Sequence, residues 1–320
     1  MLENILLIIA GFFLLLKGSD ILVDGSTAVA KKFHISSLII GLTIVAIGTS
    51  MPELMICLKS SGISESNVAI GSVIGSNICN ILLVLGICSL ISPIRFKKET
   101  RLLEIPLSLL MIFTVFVLSN NSVSDKAITQ GEGVVLLALF ICFLIYTIII
   151  GKYGELIEPK IELINTREDE IGLGKSLIFV IAGIVALKFG GDFVVDNIKE
   201  LIENFNIDEK VMSLIVIALG TSLPELMTSI NAILKQDNDM AIGNIIGSNI
   251  FNLSLILGIS SIFNKVNFSV DYNIDILILF IATVVLLVVP YIGKKEHSGR
   301  VAGLLLVLSY VGYVYSVFVR

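Results

Sequence analysis

Residues 48–54 read Gly-Thr-Ser-Met-Pro-Glu-Leu, and residues 220–226 read Gly-Thr-Ser-Leu-Pro-Glu-Leu. The offset between the copies, 172 from Glu53 to Glu225, aligns long flanking stretches without a gap. Gly11 falls on Gly183, Gly18 on Gly190, Asp20 on Asp192 and Asp24 on Asp196. Ala69-Ile70-Gly71 falls on Ala241-Ile242-Gly243, and Gly75-Ser76-Asn77-Ile78 on Gly247-Ser248-Asn249-Ile250. Asn80 then meets Asn252, and Gly86 meets Gly258. The chain is a duplication, and a fold that gives one copy a role must give the other a matching one.

The medium of that fold follows from composition. Hydrophobic residues make up 55% of the 320 and charged residues only 15%, with mean hydropathy +0.97. A soluble protein carries about 25% charged residues, so this is a polytopic membrane protein. Apolar stretches of helix length fall at 3–27, 36–58, 66–92, 102–119, 128–150, 173–198, 208–234, 240–263, 271–292 and 299–319. These predict an all-α protein of ten transmembrane helices, five in each repeat. The repeats are 1–150 and 173–320, joined by a charged linker at 151–172 too short for a folded regulatory domain. Glu3, with no basic segment or small-residue cleavage site before Lys17, makes the first stretch a span rather than a removable signal peptide.

Five is odd, so the second repeat enters the membrane upside down. Inverted repeats with Gly- or Pro-broken helices at matching places mark secondary transporters, with the site at the repeat interface. Counting Lys and Arg in the loops gives fourteen on the side holding Lys31, Arg95 and Lys235, and six on the side holding Lys59 and Lys126. The first side is therefore cytoplasmic, and both termini lie outside. The net charge of −5 is modest and gives no reason to expect nucleic acid as a partner; the partners expected are the bilayer and small ions, with a single copy of the chain sufficient.

Proline inside an apolar run ends or kinks a helix, because it lacks an N–H and clashes with the preceding turn. Pro52 and Pro224 should therefore break spans 2 and 7. Such a break must be buried in protein or line a watery cavity, and an ionisable group there is a site by default. Glu53 and Glu225 are those groups. Ser50-x-x-Glu53 and Ser222-x-x-Glu225 also fit capping boxes, so the glutamates are candidates for helix caps as well as ligands. Thr49, Ser50, Thr221 and Ser222 add neutral oxygens, and the unwound turn should free the carbonyls of Ala46 and Ala218.

Spans 3 and 8 carry GxxxG pairs at Gly71/Gly75 and Gly243/Gly247, which permit close helix approach. One turn later Ser76, Asn77 and Asn80, and equally Ser248, Asn249 and Asn252, share a helical face. Asn80, Asn252, Ser76 and Ser248 are the expected ligands, with Asn77 and Asn249 supporting the break. Carboxylate, hydroxyl and carbonyl oxygens suit hard cations such as Ca²⁺ and Na⁺ rather than soft metals. Asp20, Asp24, Asp192 and Asp196 read as interfacial, and His34 and His297 as solvated loop residues. Cys57, Cys79, Cys88 and Cys142 read as small buried hydrophobes, although Cys79, beside the polar motif, should be open to thiol reagents.

These two Gly-Thr-Ser-x-Pro-Glu segments, each followed 27 residues on by the Asn that ends Gly-Ser-Asn-Ile-x-Asn, resemble the α-repeats of the cation/Ca²⁺ exchanger superfamily, above all its prokaryotic sodium/calcium exchangers. The resemblance covers the whole chain in span count and is specific over 40–90 and 212–262. It implies alternating access, with Ca²⁺ and Na⁺ as transported ions bound in turn at Glu53 and Glu225. Thr49, Thr221, Ser76, Ser248 and neighbouring carbonyls would complete the Na⁺ sites, while spans 1 and 6 slide against the rest. Neither a cofactor nor an enzymatic activity is implied. Several relatives, the potassium-dependent exchangers among them, carry Asp where this chain has Asn252. Two neutral amides at 80 and 252 argue against K⁺ co-transport.

Expelling Ca²⁺ against a ~10⁴-fold gradient and ~100 mV costs about 10 kcal/mol, and each Na⁺ entering down a ~10-fold gradient returns about 3.7 kcal/mol. Two Na⁺ fall short and three suffice, which makes the exchange electrogenic. A H⁺/Ca²⁺ antiporter using both glutamates as proton carriers is the alternative within this class. A polytopic membrane enzyme is the rival outside it. The expected core lacks His, HExxH and a basic phosphate-binding cluster, which sets the enzyme reading aside.

Overall fold

The computed structural model describes residues 2–60, 67–121, 126–153, 172–202, 211–292 and 297–319. Most of the linker expected at 151–172 lies outside the described residues. Every expected span coincides with a helix or a bent pair of helices. α1 covers Leu2–Phe33, α2 Ser37–Thr49, α3 Met51–Ser60, α4 Val68–Ile91 and α5 Thr100–Asn120. α6 covers Gln130–Tyr153, α7 Leu173–Ile202, α8 Met212–Thr221, α9 Leu223–Leu234 and α10 Asn238–Phe263. α11, Tyr272–Ile292, and α12, Arg300–Val319, complete the set.

The breaks fall where proline demands them. α2 and α3 meet at 44°, and α8 and α9 at 41°, with Pro52 and Pro224 in the first turn of the second member. Each proline withholds the N–H that the carbonyl four residues back would have accepted. Wider π-helical turns recur at matching places, Gly41–Val45 with Met212–Ile217 and Asn80–Val84 with Asn252–Ile256. Single π-turns inside α-helices cluster at functional sites.

Glycine contacts show the inversion directly. α1 and α7 occupy equivalent places in the two repeats, and they lie antiparallel. A Cβ on Gly11 would come within 2.8 Å of the Gly190 carbonyl oxygen, and a Cβ on Gly190 within 2.8 Å of that of Gly11. Gly18 likewise faces the Gly183 carbonyl at 3.2 Å. The 172-residue offset carries Gly11 to Gly183 and Gly190 back to Gly18, so one two-fold relation exchanges the contacts. Backbone-to-backbone approach this close leaves no room for a side chain.

The same relation knits the centre. A Cβ on Gly75 of α4 would sit 2.7 Å from the Ala218 Cβ of α8, and one on Gly247 of α10 would sit 2.8 Å from the Ala46 Cβ of α2. Each broken span thus packs on the polar helix of the opposite repeat, and the GxxxG glycines are where the backbones meet. The outer helices are exchanged too, with Gly86 of α4 against Gly303 of α12 and Gly258 of α10 against Gly133 of α6.

Among the described residues, four two-residue strands depart from the all-α expectation. Ile94–Arg95 pairs with His297–Ser298, and Ala127–Ile128 with Val266–Asn267, both antiparallel. Each pair clips together loops that the sequence assigns to one side of the membrane. Too short to build a sheet, they satisfy backbone groups at the rims. The cysteines divide otherwise than expected: Cys57, Cys79 and Cys88 are buried, and Cys142 is exposed on α6. Cys79 is only 1% exposed, so the expectation of an open thiol is corrected; it lies inward on α4, a helix enclosed by its neighbours.

Candidate cation site

Both glutamates are fully buried. Glu53 enters from the first turn of α3 and Glu225 from the first turn of α9. Neither repeat completes its own surroundings. Ser50 Oγ, at the break of the first repeat, donates to Glu225 Oε1 at 3.0 Å, and Ser248 Oγ donates to the same oxygen at 3.3 Å. Ser76 Oγ donates to Glu53 Oε1 at 2.9 Å and lies 2.8 Å from Ser222 Oγ. Thr49 Oγ1 lies 3.4 Å from Ser248 Oγ, and Asn252 Nδ2 donates to Ser76 Oγ at 3.4 Å. Eight of the twelve candidate ligands therefore fall into two hydrogen-bonded groups of four, Ser50, Glu225, Ser248 and Thr49 in one and Glu53, Ser76, Ser222 and Asn252 in the other, each drawing on both repeats.

The capping-box alternative does not survive this geometry. Ser222 makes no side-chain cap bond to its helix, and the Ser50 hydroxyl is spent on the carboxylate of the other repeat. The glutamates are held by their neighbours rather than holding the helix ends.

The amides form a second layer. Asn80 Nδ2 donates to Asn249 Oδ1 at 3.1 Å, and Asn252 Nδ2 donates to Asn77 Oδ1 at 2.9 Å. Asn77 and Asn249 also donate to each other's backbone oxygens, at 3.2 and 3.3 Å. Sequence placed Asn77 and Asn249 as supports of the break; they instead clasp α4 to α10. The clasp fixes which way the Asn80 and Asn252 amides turn, because their nitrogens are taken up in it.

What remains is a set of buried oxygens without partners: Glu53 Oε2, Glu225 Oε2, Asn80 Oδ1 and Asn252 Oδ1. A buried polar atom left unpaired costs about 1–3 kcal/mol, more if charged, and four at one interface call for a ligand that accepts oxygen lone pairs. Two carboxylates with neutral oxygens describe a hard cation. Among the described residues no group of three or more His, Cys, Asp or Glu is placed to hold a metal, so the negative charge comes from this pair alone.

The Ala46 and Ala218 carbonyls, expected to be freed, are not. Each accepts the N–H four residues on, from Ser50 and Ser222 at 3.0 Å, and the hydroxyl of Thr49 or Thr221 at 3.3 Å. The breaks lie two residues later than that expectation required, because Pro52 and Pro224 withhold the N–H that residues 48 and 220 would have accepted. Sequence reading also passed over Asn244. Its Oδ1 accepts from Thr49 Oγ1 at 3.0 Å, and its Nδ2 donates to Ser229 Oγ at 3.0 Å and to the Glu225 carbonyl at 3.3 Å. A search for identity between repeats discards it, because the matching residue is Ser72.

The acidic pairs on α1 and α7 stand outside this cluster. Lys235, just past α9, meets Asp20 Oδ1 at 2.6 Å and Asp24 Oδ1 at 2.5 Å. Burial pushes the Lys235 pKa down, but its bonds to the two aspartates outweigh this and the net shift is upward. Asp192 pairs at 2.7 Å with Lys188 one turn back on its own helix.

Two inverted five-helix halves that share one buried pair of carboxylates across their interface define a secondary transporter for cations. A family profile described as sodium/calcium exchanger protein matches residues 3–149 and again 175–319. The chain belongs to the sodium/calcium exchanger family, whose members are membrane antiporters and not enzymes. It is 33% identical over 324 residues to the putative antiporter CaxA of Alkalimonas amylolytica, covering 99% of both chains. It is 30% identical over 356 residues to the sodium/calcium exchanger MaX1 of Methanosarcina acetivorans, covering 98% of both. The solved structure of the sodium-calcium exchanger NCX_Mj soaked with Na⁺ and Ca²⁺ superposes with a TM-score of 0.81 at 31% identity, over 99% of both chains.

Proposed function

We propose that this antiporter exchanges about three Na⁺ for one Ca²⁺ by alternating access, moves net charge, and requires no K⁺. The observation that carries the reading is the set of four unpartnered oxygens, one carboxylate and one amide oxygen from each repeat. Glu53 and Glu225 neutralise one Ca²⁺. With Ca²⁺ absent, the same pair and the surrounding hydroxyls of Thr49, Ser50, Ser76, Thr221, Ser222 and Ser248 suit Na⁺, which needs less charge per ion and tolerates neutral oxygens. Three Na⁺ against two carboxylates leave one positive charge, so membrane potential assists Ca²⁺ export. Asn80 and Asn252 neither bind nor release a proton near neutral pH, which favours Na⁺ coupling over H⁺ coupling and leaves K⁺ without an added acidic ligand. The protein acts in the cell membrane as a single chain with both termini outside and repeats 1–150 and 173–320 joined in the cytoplasm.

Proteoliposomes loaded with Na⁺ and diluted into Na⁺-free medium should take up radiolabelled Ca²⁺, faster when valinomycin and an inward K⁺ gradient make the interior positive, because three Na⁺ leaving for one Ca²⁺ entering carry one net positive charge out. Uptake that ignores Na⁺ and follows a pH step would assign the protein to H⁺/Ca²⁺ antiport instead.

A further inference from the structure

Three oxygens of α1 converge on one ammonium at the far end of the second broken span. Lys235, at the turn between α9 and α10, meets Asp20 Oδ1 at 2.6 Å, Asp24 Oδ1 at 2.5 Å and the Asp20 carbonyl at 3.1 Å. One turn nearer the break, Asn231 Nδ2 donates to Ser19 Oγ, which is fully buried. The turn that carries Lys235 is itself fixed. Lys235, Gln236 and Asp237 donate their N–H groups to the Asn231, Ile233 and Ala232 carbonyls at 2.9, 3.0 and 2.8 Å, and Gln236 adopts a left-handed φ of 63°. Lys235 therefore joins α1 to a rigid corner shared by α9 and α10.

The duplication supplies a comparison at the opposite end of the molecule. The 172-residue offset carries Asp20 and Asp24 to Asp192 and Asp196 on α7, Asn231 to Lys59 on α3, and Ser19 to Gly191. Asp192 pairs with Lys188 of its own helix, a residue matched by Leu16 in the first repeat. Lys59 is exposed at the end of α3, and among the described residues no ion pair joins it to either aspartate. Lys235 itself matches Ile63, which lies outside the described residues. Inverted repeats exchange their arrangements as the site opens to each side in turn. A tie between α1 and α9 without its counterpart between α7 and α3 is therefore a feature of one of the two states.

We propose that Lys235, Asp20 and Asp24 form a latch that holds α1 against α9 and keeps the cytoplasmic side shut, so that opening to the cytoplasm requires the ammonium to leave both aspartates. This role presumes the alternating access proposed above. The three side chains are about one-third exposed or more, so water competes for them and the latch is weak. Its loss should raise the population open to the cytoplasm about two- to fivefold, the equivalent of about 0.5–1 kcal/mol for a partly exposed pair. A latch of that size tilts the balance between two states without preventing turnover.

The test uses the full chain in membrane vesicles of known orientation and a membrane-impermeant maleimide, with modification at each reporter position read by mass spectrometry. Ser19→Cys reports the buried seam between α1 and α9 from the cytoplasmic face. Gly191→Cys, its repeat mate, reports from the external face, and a Cβ there meets only ordinary contacts. Adding Lys235→Met should speed labelling at 19 about two- to fivefold without speeding it at 191, and Lys235→Arg, which keeps the charge, should label at the parental rate. Where Ser19→Cys fails to fold, Asn231→Cys reads the same seam. Unchanged labelling of the seam in Lys235→Met, or an equal rise at both faces, as a general loosening would give, would overturn the latch. The labelling needs no transported ion, so a Ca²⁺ flux that ignores Na⁺ would overturn the exchange reading and leave the latch standing.

Discussion

Replacing Gly247 by alanine puts the helix packing at the centre of the protein to a quantitative test. A Cβ at 247 would lie 2.8 Å from the Ala46 Cβ and 2.9 Å from both the Cα and the carbonyl oxygen of Leu42. Carbon pairs rest at about 3.5–4.0 Å, so the overlap approaches 1 Å, and two of the three neighbours are backbone that no rotamer change can move. Overpacking of this kind costs about 1–3 kcal/mol. Gly→Ala inside a helix returns about 1 kcal/mol. Gly191→Ala on α7 is the control, because its nearest neighbours, Pro224 Cγ and Cδ, would stand at 3.7 and 3.9 Å, ordinary contact distances. The helical gain is common to both variants and cancels, leaving a difference of about 1–3 kcal/mol. The chain has no tryptophan, so thermal stability is best followed as the fraction of monodisperse protein surviving heating, by size-exclusion chromatography in detergent. Gly247→Ala should lose stability several degrees below Gly191→Ala, with Ca²⁺ affinity of the surviving protein less affected. A Gly247→Ala protein as stable as the control would show that α2 and α10 do not meet backbone to backbone.

Lys235→Met removes the bonds from Lys235 to Asp20 and Asp24 that tie the end of α9 to α1. These groups are about one-third exposed or more, so we expect a loss of only ~0.5–1 kcal/mol, shrinking at high salt. Because the folded pKa of Lys235 is raised, its contribution is full below the unfolded lysine value of about 10.4 and is lost as pH rises through the folded value. Stability measured against alkaline pH should therefore fall sooner in the parent than in the Met variant. Asp237 Oδ1 caps α10 by accepting the Met240 N–H at 3.0 Å, and burial raises its pKa. A raised carboxyl pKa means the folded state gains stability as pH drops through it and carries the cost of a buried charge at neutral pH. Asp237→Asn keeps the cap without that charge and should match or exceed the parent in thermal stability, whereas Asp237→Ala should cost about 1 kcal/mol.

The architecture was legible in the sequence because apolar length and proline are strong, local signals. Ten apolar stretches gave the helices to within a few residues, and Pro52 and Pro224 marked the breaks. The odd number of spans per repeat implied the inversion that Gly11 and Gly190 display. The partners within the site were less legible. Ser50 bonds Glu225, and Ser76 bonds Glu53 beside Ser222, pairings between elements far apart in sequence that no local rule anticipates. The Ala46 and Ala218 carbonyls keep their helical hydrogen bonds because proline frees the carbonyl four residues back, which lies nearer the break than either alanine. Asn244 escaped because it breaks the repeat, and symmetry was the guide. Lys235 gave no sign of its aspartates, since a basic residue in a loop reads as a solvated one.

The central claim is that Ca²⁺ and Na⁺ share one cluster built around Glu53 and Glu225. Calorimetric titration of the purified protein with Ca²⁺ at rising Na⁺ concentrations tests it most directly. One Ca²⁺ per chain should bind and be displaced by Na⁺ with a Hill coefficient above one, and folded Glu53→Gln or Glu225→Gln should show no measurable Ca²⁺ binding. Ca²⁺ binding that is indifferent to Na⁺, or that persists at parental affinity in either Gln variant, would contradict it.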